Sequence, residues 1–512
     1  MVVSVRSAAV LGVDGFGIDV EVHAHKGTSA IVVVGLPDTA IRESRDRVTT
    51  AISNSLLRWP VGRITVNLAP ADVRKEGPAF DLPIAVGMTL LASRSVPDDL
   101  PDYCIAGELA LDGTVRPVRG ALPIALEAKH RGQRALIIPK ENAREASLVQ
   151  GLDIYPVTSL RETVDFLLGE HAIPPYPSRP TEILADAASG QTPDLSDIRG
   201  QHLARRAMEV AVSGGHNLLL MGSPGCGKSM LAKRIPGLIP PMSLEEAIET
   251  TRIHSTCGLL LGKSASVVSQ RPFRAPHHTI SDAGLLGGSA IPSPGEVSLA
   301  HNGVLFLDEL PEFKRATLEV LRQPLEDGTV TITRAAGSLT FPADFMLVAA
   351  LNPCPCGYFG DPNRTCSCST AQILRYRQRI SGPLLDRIDI QIEVPAVTFR
   401  EMSAGADGES SDAVRSRIAG CRKVQSHRFQ GNCRSNARMT SRLIRQHCQL
   451  DESASALLQE AMIALKLSAR AYDRILRVSR TIADLSESPA ILPEHVQEAV
   501  AYRTLDRGNS LS

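Results

Sequence analysis

The sequence predicts an α/β protein with a doubly wound parallel sheet in its central segment, a mixed α+β segment before it and a helical segment after it. In the centre, helical stretches alternate with the short apolar runs NLLLMG, GVLFLDE and FMLVAAL, the pattern of a doubly wound domain. The first segment mixes β-branched runs with helical stretches, and the last has helical periodicity only. The length of 512 residues exceeds what one hydrophobic core of roughly 250–300 residues accommodates.

Two stretches without periodicity divide the chain. Residues 171–195 are rich in Pro, Ser and small residues, and residues 401–412 are polar and acidic. The predicted organisation is a first domain at 1–170, a linker at 171–195, a central domain at 196–398, a linker at 399–412 and a C-terminal domain at 413–506. Helices of the last domain are predicted at 413–427, 440–448, 452–468, 470–485 and 493–503.

Composition and charge limit the possible partners. Lys plus Arg number 55, as do Asp plus Glu, so only a local patch could bind nucleic acid. The chain has no run of about 20 apolar residues, and no membrane span is expected. The apolar run near the N-terminus is too short for a signal peptide and is predicted to be a strand, so the expected compartment is the cytoplasm. Thiols stay reduced there, which favours metal binding or catalysis over disulfides.

The segment GSPGCGKS fits the phosphate-binding pattern G-x-x-x-x-G-K-[ST], and it follows an apolar strand and precedes a helix. Its backbone N–H groups would surround phosphate oxygens. Lys228 would reach the β- and γ-phosphates, and the Ser229 hydroxyl would ligate Mg²⁺. ATP and Mg²⁺ are therefore the expected cofactors. The predicted ATP-binding residues are Gly222, Ser223, Pro224, Gly225, Cys226, Gly227, Lys228 and Ser229.

Two further apolar runs end in polar residues, as buried parallel strands do at their carboxyl ends. VLFLDEL ends in Asp308, predicted to hold Mg²⁺, and Glu309, predicted to polarise the attacking water. FMLVAALN ends in Asn352, which could orient that water. These residues predict ATP hydrolysis.

Arg387, in GPLLDRID, follows a predicted helix. In ring ATPases an arginine of one subunit reaches the γ-phosphate bound by its neighbour, and Arg387 is the candidate here. The alternative is an ion pair with Asp386 or Asp389 within the same domain.

Over about residues 190–395 the chain resembles an AAA+ ATPase of the magnesium-chelatase type. The resemblance rests on GGHNLLLMGSPGCGKS, RPFRAPHHTIS, PGEVSLAHNGVLFLDEL and GTVTITRAAGSLTFPADFMLVAALNP. It implies an AAA+ core with an insertion near 285–297 and a β-hairpin at 329–341 that carries Arg334 near its tip. MCM helicases share both features and direct them at DNA.

The helix at 468–485 resembles the lid helix of such ATPases, which bears the second sensor arginine. Arg470 fits that position best, and Arg474 and Arg477 are alternatives.

The first domain resembles the proteolytic domain of Lon proteases, which has a ribosomal-S5-like fold. The resemblance rests on VNLAPADVRKEGPAFDLPIAVG and GELALDGTVRPVRGALPIALEAKHRG. The family uses a Ser–Lys dyad, but Ala79 stands at the serine position and Leu122 at the lysine position. We therefore predict a non-catalytic domain, in which Lys75 and Glu76 are surface charges.

The combination of these domains, with VGLPDTAIRESRDRV, resembles the YifB/ComM family of bacterial competence proteins over nearly the whole chain. This resemblance implies a hexameric ring helicase that drives branch migration of DNA during natural transformation. A metal-chelatase-like or chaperone-like motor acting on a protein partner is the alternative. Ala79 and Leu122 argue against a third possibility, an ATP-dependent protease.

Residues 413–450 contain no Asp or Glu and are rich in Arg, which suits contacts with phosphates. The scarcity of aromatic residues favours binding without sequence preference. The alternative is a basic face that packs on an acidic surface or on nucleotide. The predicted DNA-binding residues are Arg334, Arg422, Lys423, Arg428, Arg434 and Arg438.

Two further groups suggest metal chemistry. His277 and His278 are adjacent, but no third ligand is evident, and an extended backbone would place their rings on opposite sides. Inter-subunit or pore contacts are therefore preferred for them. Four cysteines form two C-x-C pairs around a turn and could hold Zn²⁺ in a tetrahedral site. The alternatives are a reduced or redox-active cluster and an iron–sulfur cluster. These cysteines are Cys354, Cys356, Cys366 and Cys368.

Overall fold

The computed structural model describes residues 2–503 apart from ten short gaps. The gaps are Ser29, Pro37, 72–74, Glu76, 188–192, 263–266, 289–291, 335–336, 398–407 and Asn432. Glu76, most of the second predicted linker and the middle of the predicted insertion thus lie outside the described residues. The chain forms two compact units. The first unit comprises Met1–Ser189 and Ser243–Ser269, and the second comprises Gly190–Met242 and Gln270–Ser512.

The first unit contains a seven-stranded mixed sheet. The two central strands pair in antiparallel register, with Val5 opposite Val20. Successive residues contact different cores, because Tyr103 and Ile105 belong to one apolar cluster and Cys104 to another, as expected when a strand is buried on both faces. In spatial order the strands are Ala30–Val34, Arg63–Ala69, Asp14–His25, Val2–Leu11, Tyr103–Ile105, Ala135–Pro139 and Asp153–Val157.

Helices cover this sheet, and a short ribbon of Glu108–Leu109 with Val115–Arg116 lies beside it. The helix Asp81–Ser93 is buried on every side over its first eleven residues, Asp81 to Leu91. The helices of the first unit are Thr39–Asn54, Asp81–Ser93, Ala121–His130, Ala143–Ala146, Leu160–Leu167, Pro180–Ala187 and Leu244–Thr256. Pro180–Ala187 lies in the stretch predicted as a linker.

The segment Ser243–Ser269 belongs to the first unit although it lies inside the predicted central domain. Its helix Leu244–Thr256 begins with a capping box between Ser243 and Glu246. Ile248 packs against the apolar cluster that contains Leu122, and Val267 is part of that cluster. The sequence pattern did not predict this grouping.

The second unit contains a five-stranded sheet in which every pair of neighbours is parallel. The strands, in spatial order, are Phe273–Arg274, Val304–Leu307, Met346–Leu351, Leu218–Met221 and Ile390–Glu393. The first strand along the chain therefore lies between the fourth and the fifth. This agrees with the predicted doubly wound domain, and it brings the carboxyl ends of the strands to one edge.

The helices of the second unit fall into two groups. Those in the sheet-containing part are His202–Gly214, Lys228–Ala232, Ile235–Leu238, Asp282–Leu286, Glu296–Leu299, Arg315–Glu319, Arg322–Asp327, Thr370–Arg377 and Gly382–Leu385. Those of the C-terminal part are Ser411–Phe429, Ser441–His447, Glu452–Ala464, Ala469–Leu485 and Pro493–Ala501. All five predicted C-terminal helices are confirmed, and they share a core with the sheet.

The predicted hairpin is confirmed at Thr329–Arg334 and Gly337–Pro342. Its strands pair in antiparallel register, with Arg334 opposite Gly337 at the turn end. Thr331 and Thr340 share a hydrogen bond of 3.0 Å across the exposed face, a cross-strand pair that stabilises the register.

Lys75 was predicted as a surface charge, and this is wrong: the side chain is fully buried. The backbone of Lys75 bonds to Leu36 and Asp38, so this residue is part of the interior of the first unit. Among the described residues, no helix combines the length and apolar character needed to cross a membrane.

Candidate nucleotide-binding site

The loop that follows Leu218–Met221 and precedes the helix beginning at Lys228 has the geometry of a phosphate-binding loop. Gly225 and Gly227 have φ values of +83° and +94°, a backbone conformation that residues with a side chain rarely adopt. These turns place the loop ahead of a helix N-terminus, where unpaired N–H groups can receive an anion.

Lys228 is turned back onto this loop and is 8% exposed. Its Nζ donates to the carbonyls of Gly222 at 2.6 Å and Ser223 at 3.0 Å. It also donates to Oδ1 of Asn352 at 3.2 Å. The structure therefore brings together the predicted phosphate-binding lysine and the predicted sensor, which are 124 residues apart in sequence.

Ser229 and Asp308, the two predicted Mg²⁺ ligands, are also adjacent. The Ser229 hydroxyl donates to Oδ2 of Asp308 at 2.7 Å. Asp308 is at this position because the strand Val304–Leu307 ends just before it. A hydroxyl and a carboxylate beside a phosphate loop fit Mg²⁺, which binds few protein oxygens and keeps several waters.

Glu309 has a left-handed backbone, with φ of +51°, and its side chain is 53% exposed. Its neighbour is His278, whose Nδ1 lies 3.5 Å from Oε2 of Glu309. This pairing was not predicted from the sequence. The only signal for His278 was its place in the family motif, since 31 residues separate it from Glu309.

The rings of His277 and His278 were predicted to lie on opposite sides of the backbone, and this is wrong. Their centroids are 4.1 Å apart. Neither histidine belongs to a cluster that could hold a metal, since among the described residues the four cysteines form the only such group.

Arg387 is 8% exposed, and among the described residues its ion-pair partner is neither Asp386 nor Asp389. Its guanidinium pairs with Glu326 and donates to the carbonyl of Pro383 at 2.6 Å. Arg387 therefore makes an ion pair within its own domain, as the alternative expected. Its partner is Glu326 and not one of the two predicted acids.

Asp389 instead joins the strand Ile390–Glu393 to the C-terminal helices. Arg474 donates to Oδ1 of Asp389 at 3.0 Å, and the Asn217 N–H donates to Oδ2 at 3.2 Å. Burial raises the pKa of this carboxyl, but His216 and Arg474 outweigh burial and hold it far below its usual range. Asp389 is therefore a buried carboxylate that fixes the helix Ala469–Leu485.

The three candidate sensor arginines of that helix differ in exposure. The side chain of Arg470 is 66% exposed, and its nearest acid is Asp386 at 3.7 Å. Arg474 is engaged by Asp389, and Nε of Arg477 is buried without a hydrogen bond among the described residues. Of the three arginines, Arg470 is the exposed one, and its ion pair with Asp386 is the longer one.

The four cysteines lie together in a loop, which we call the four-cysteine loop (residues 354–368). Their sulfur atoms all lie within 4.8 Å of one another. Sγ of Cys354 is 3.3 Å from that of Cys356 and 3.6 Å from that of Cys366. Four sulfurs around zinc at about 2.3 Å are about 3.8 Å apart, so the cluster fits a tetrahedral metal site.

The electrostatics of the loop also fit a bound cation. The N–H groups of Tyr358 and Ser367 lower the pKa of the Cys356 thiol to about 5. The Cys368 N–H opposes a rise at Cys366, but burial and the neighbouring thiols still raise the pKa of Cys366 to about 12. One thiol ionises readily while another resists a second negative charge, and a divalent cation would remove that conflict.

The predicted DNA-binding arginines are largely used inside the chain. Arg428 pairs with the buried carboxylate of Asp484, and Arg434 and Arg438 both pair with Asp344. At these three positions the contacts favour the alternative to DNA binding, in which a basic face packs on an acidic surface. Arg422 likewise donates to the carbonyl of Val212. Lys423 and Arg334 are exposed.

Comparisons with known proteins match three sequence families. The description "Subunit ChlI of Mg-chelatase" matches residues 20–142, "Magnesium chelatase, subunit ChlI" matches 194–402, and "Magnesium chelatase, subunit ChlI C-terminal" matches 408–503.

Individual relatives match nearly the whole chain. "Uncharacterized protein YifB" of Escherichia coli is 45% identical over 98% of this chain and 97% of its own length. "Competence protein ComM" of Haemophilus influenzae is 46% identical with the same coverage. A partial match, 22% identical over 58% of this chain and 33% of the relative, is "Maternal DNA replication licensing factor mcm6" of Xenopus tropicalis.

Proposed function

Because the chain belongs to the YifB/ComM family, with a magnesium-chelatase-like AAA+ segment, we propose that it is an ATP-driven motor acting on DNA. In this proposal six copies form a ring of the AAA+ clade that carries the helix-2 insertion. The ring hydrolyses ATP and moves branched DNA during homologous recombination of transforming DNA. The observation that carries the proposal is the convergence of Lys228, Ser229, Asp308 and Asn352 at one edge of the sheet.

Each of these residues has a role in ATP hydrolysis. Lys228, released from the carbonyls of its own loop, binds phosphate oxygens, and Ser229 with Asp308 holds Mg²⁺. Mg²⁺, when bound, neutralises charge that develops on the phosphates. Glu309 accepts the proton of the attacking water, and Asn352 orients that water. His278, 3.5 Å from Glu309, positions the Glu309 carboxylate.

The DNA substrate is supported by the names of two relatives, a competence protein and a replication licensing factor. It is also supported by the exposed Arg334 at the end of a hairpin strand and by the exposed Lys423, Arg442 and Arg445. Contacts from such side chains to phosphates bind DNA without reading its sequence.

The test uses four-way and forked DNA with ATP. We expect wild-type protein to remodel both substrates and DNA to stimulate its ATPase. Glu309→Gln should bind ATP and DNA but lose remodelling and ATPase activity, the latter by about 10²–10⁴-fold. Glu460→Gln, at an exposed position of the C-terminal helices, is the matched control. If wild-type protein neither binds DNA nor shows DNA-stimulated ATPase activity, the proposal is wrong.

A motor that acts on a protein partner is the second candidate, and the chelatase family descriptions favour it. It predicts that affinity purification returns a stoichiometric protein client and that DNA leaves the ATPase rate unchanged. Proteolysis is not part of either candidate, and degradation of casein by purified protein would contradict both.

The proposed motor also carries one structural Zn²⁺ in the four-cysteine loop, supported by the sulfur distances. Metal analysis of protein purified without chelator should find about one zinc per chain. Cys433→Ser, a thiol outside the loop, should leave that content unchanged. Zinc well below one per chain, or iron in its place, would contradict this assignment.

A further inference from the structure

The four-cysteine loop contacts the phosphate loop directly. Gly357 has φ of +88°, and a Cβ atom there would lie 2.6 Å from both Cγ and Cδ of Pro224. Real Cβ atoms do not approach other atoms so closely, so only glycine allows this approach. The ring of Pro224 therefore lies directly against the backbone of residue 357.

A second contact joins the same two loops. The Ser223 side chain also lies beside the carboxylate of Asp361 and lowers its pKa. Residues 357 and 361 thus support two consecutive residues of the phosphate loop. Ser223 is also one of the residues whose carbonyl accepts from Lys228.

The contacting segment, residues 357–361, lies between the two pairs of cysteines. Cys356 precedes it by one residue, and Cys366 follows it by five. The Phe359 N–H donates to Sγ of Cys354 at 3.3 Å, so the sulfur cluster also orients the backbone of this segment. Anything that fixes the four sulfurs fixes the segment that touches Pro224.

The start of the loop is anchored independently of any metal. Nε of Arg377 donates to the Pro353 carbonyl at 3.3 Å, and its guanidinium lies over the Phe359 ring at 5.6 Å. The helix Thr370–Arg377 therefore holds the chain just after Asn352. Phe359, inside the segment that contacts the phosphate loop, is therefore held both by Arg377 and by the sulfur cluster.

We propose that the metal ion held by the four cysteines sets the affinity of the phosphate loop for nucleoside triphosphate, through the contacts of residues 357–361 with Ser223 and Pro224. The inference rests on the proposed ATP and zinc binding. It assigns the metal a regulatory role, because loss of the metal releases one wall of the nucleotide site. A purely structural zinc would leave nucleotide affinity unchanged.

The experiment measures zinc content and the Kd of fluorescent ATP on the full-length protein. Gly357→Ala places a Cβ against Pro224 and leaves the cysteines intact. Gly360→Ala is the matched control, because Gly360 has a similar φ of +82° but a Cβ atom there would meet nothing within 4 Å. We expect both variants to retain zinc and only Gly357→Ala to bind ATP about tenfold more weakly, which corresponds to about 1.4 kcal/mol.

The double variant Cys366→Ser, Cys368→Ser removes two ligands. It should lose zinc and weaken ATP binding at least as much as Gly357→Ala does, while Cys433→Ser retains both properties. A zinc-free double variant with wild-type ATP affinity would overturn the inference and leave the proposed function intact. Equal ATP affinities of Gly357→Ala and Gly360→Ala would overturn it too, even if the double variant fails to fold. Failure of wild-type protein to bind ATP would instead contradict the proposed function.

Discussion

Glu145 is a buried acid of the first unit whose ionisation opposes folding. Its carboxylate accepts from the Leu122 N–H at 2.8 Å, at the start of the helix Ala121–His130. Burial raises its pKa from 4.5 to about 7, although the hydrogen bond from the Leu122 N–H lowers it. Ionisation of Glu145 therefore costs more in the folded chain than in the unfolded one.

Glu145 makes the stability of the folded chain depend on pH. Below pH 4.5 the carboxyl is protonated in both states and costs nothing, and the penalty grows until about pH 7, where it reaches about 3 kcal/mol. We predict that the free energy of unfolding of Glu145→Gln exceeds that of wild type by more at pH 8 than at pH 5, because only the wild type carries the ionised carboxylate. Thermal unfolding of the full chain at both pH values checks this. Glu141→Gln, at an exposed position nearby, should show no such gain, and a pH-independent effect of Glu145→Gln would contradict the prediction.

Asp389 illustrates how one buried residue holds two elements together. It is 6% exposed and pairs with Arg474 of the helix Ala469–Leu485. Asp389→Asn would leave Arg474, whose side chain is only 13% exposed, without its counter-charge, which costs about 3–5 kcal/mol. Asp386→Asn is the control, since Asp386 faces the exposed Arg470 and should cost at most about 1 kcal/mol. Denaturant unfolding measures both, and equal losses would contradict the assignment.

At the scale of elements, the hairpin Thr329–Pro342 is the clearest candidate for contact with DNA. Arg334 is the last residue of the first strand of this hairpin, and it is exposed. The flanking hydrogen bond between Thr333 and Ser338, at 3.0 Å, holds this end of the strand pair together. The charge is thus presented on an ordered strand end.

We predict that Arg334→Ala weakens binding to single-stranded and four-way DNA alike, because a phosphate contact carries no sequence information. The slope of log Kd against log salt should fall by about one. A salt titration of DNA binding measures this slope. Arg45→Ala, at an exposed position of the first unit, should not change it, and an unchanged slope for Arg334→Ala would remove the hairpin from the proposed interface.

At the scale of the whole molecule, the proposed ring makes a prediction about Arg387. If Arg387 acts on the nucleotide of a neighbouring subunit, it must leave Glu326 of its own chain when the ring assembles. A Glu309→Gln chain still supplies Arg387, and an Arg387→Ala chain still supplies Glu309. Mixing the two inactive variants should therefore restore ATPase activity at interfaces that combine both intact residues.

The control mixture contains Glu309→Gln chains and chains that carry both substitutions, and it should stay inactive. If the mixture of Glu309→Gln and Arg387→Ala chains is no more active than the average of its two components, Arg387 acts within its own chain, through Glu326.

Local features of the sequence sufficed to predict which residues lie together at the candidate nucleotide site. The pattern around Lys228 and the acids at 308 and 309 each depend on a strand and on the few residues that follow it. Parallel strands bring such ends to one edge, which is why Asn352 was expected at the same site as Asp308 and Glu309. The five C-terminal helices were predicted for the same reason, because helical periodicity is a short-range property.

Short-range patterns thus sufficed to predict the glycine-rich loop before Lys228, the family, the hairpin and the clustering of the four cysteines. The tertiary structure alone decided which charges meet. It paired Arg387 with Glu326, gave Asp389 to Arg474, buried Lys75, placed His278 beside Glu309 and joined Ser243–Ser269 to the first unit. Ion pairs and packed faces join residues that are far apart in the chain. Each charged residue has many possible partners of opposite charge, and sequence patterns do not specify which one it meets. The contact of Gly357 with Pro224 is of the same kind, and it connects the cysteines to the nucleotide site.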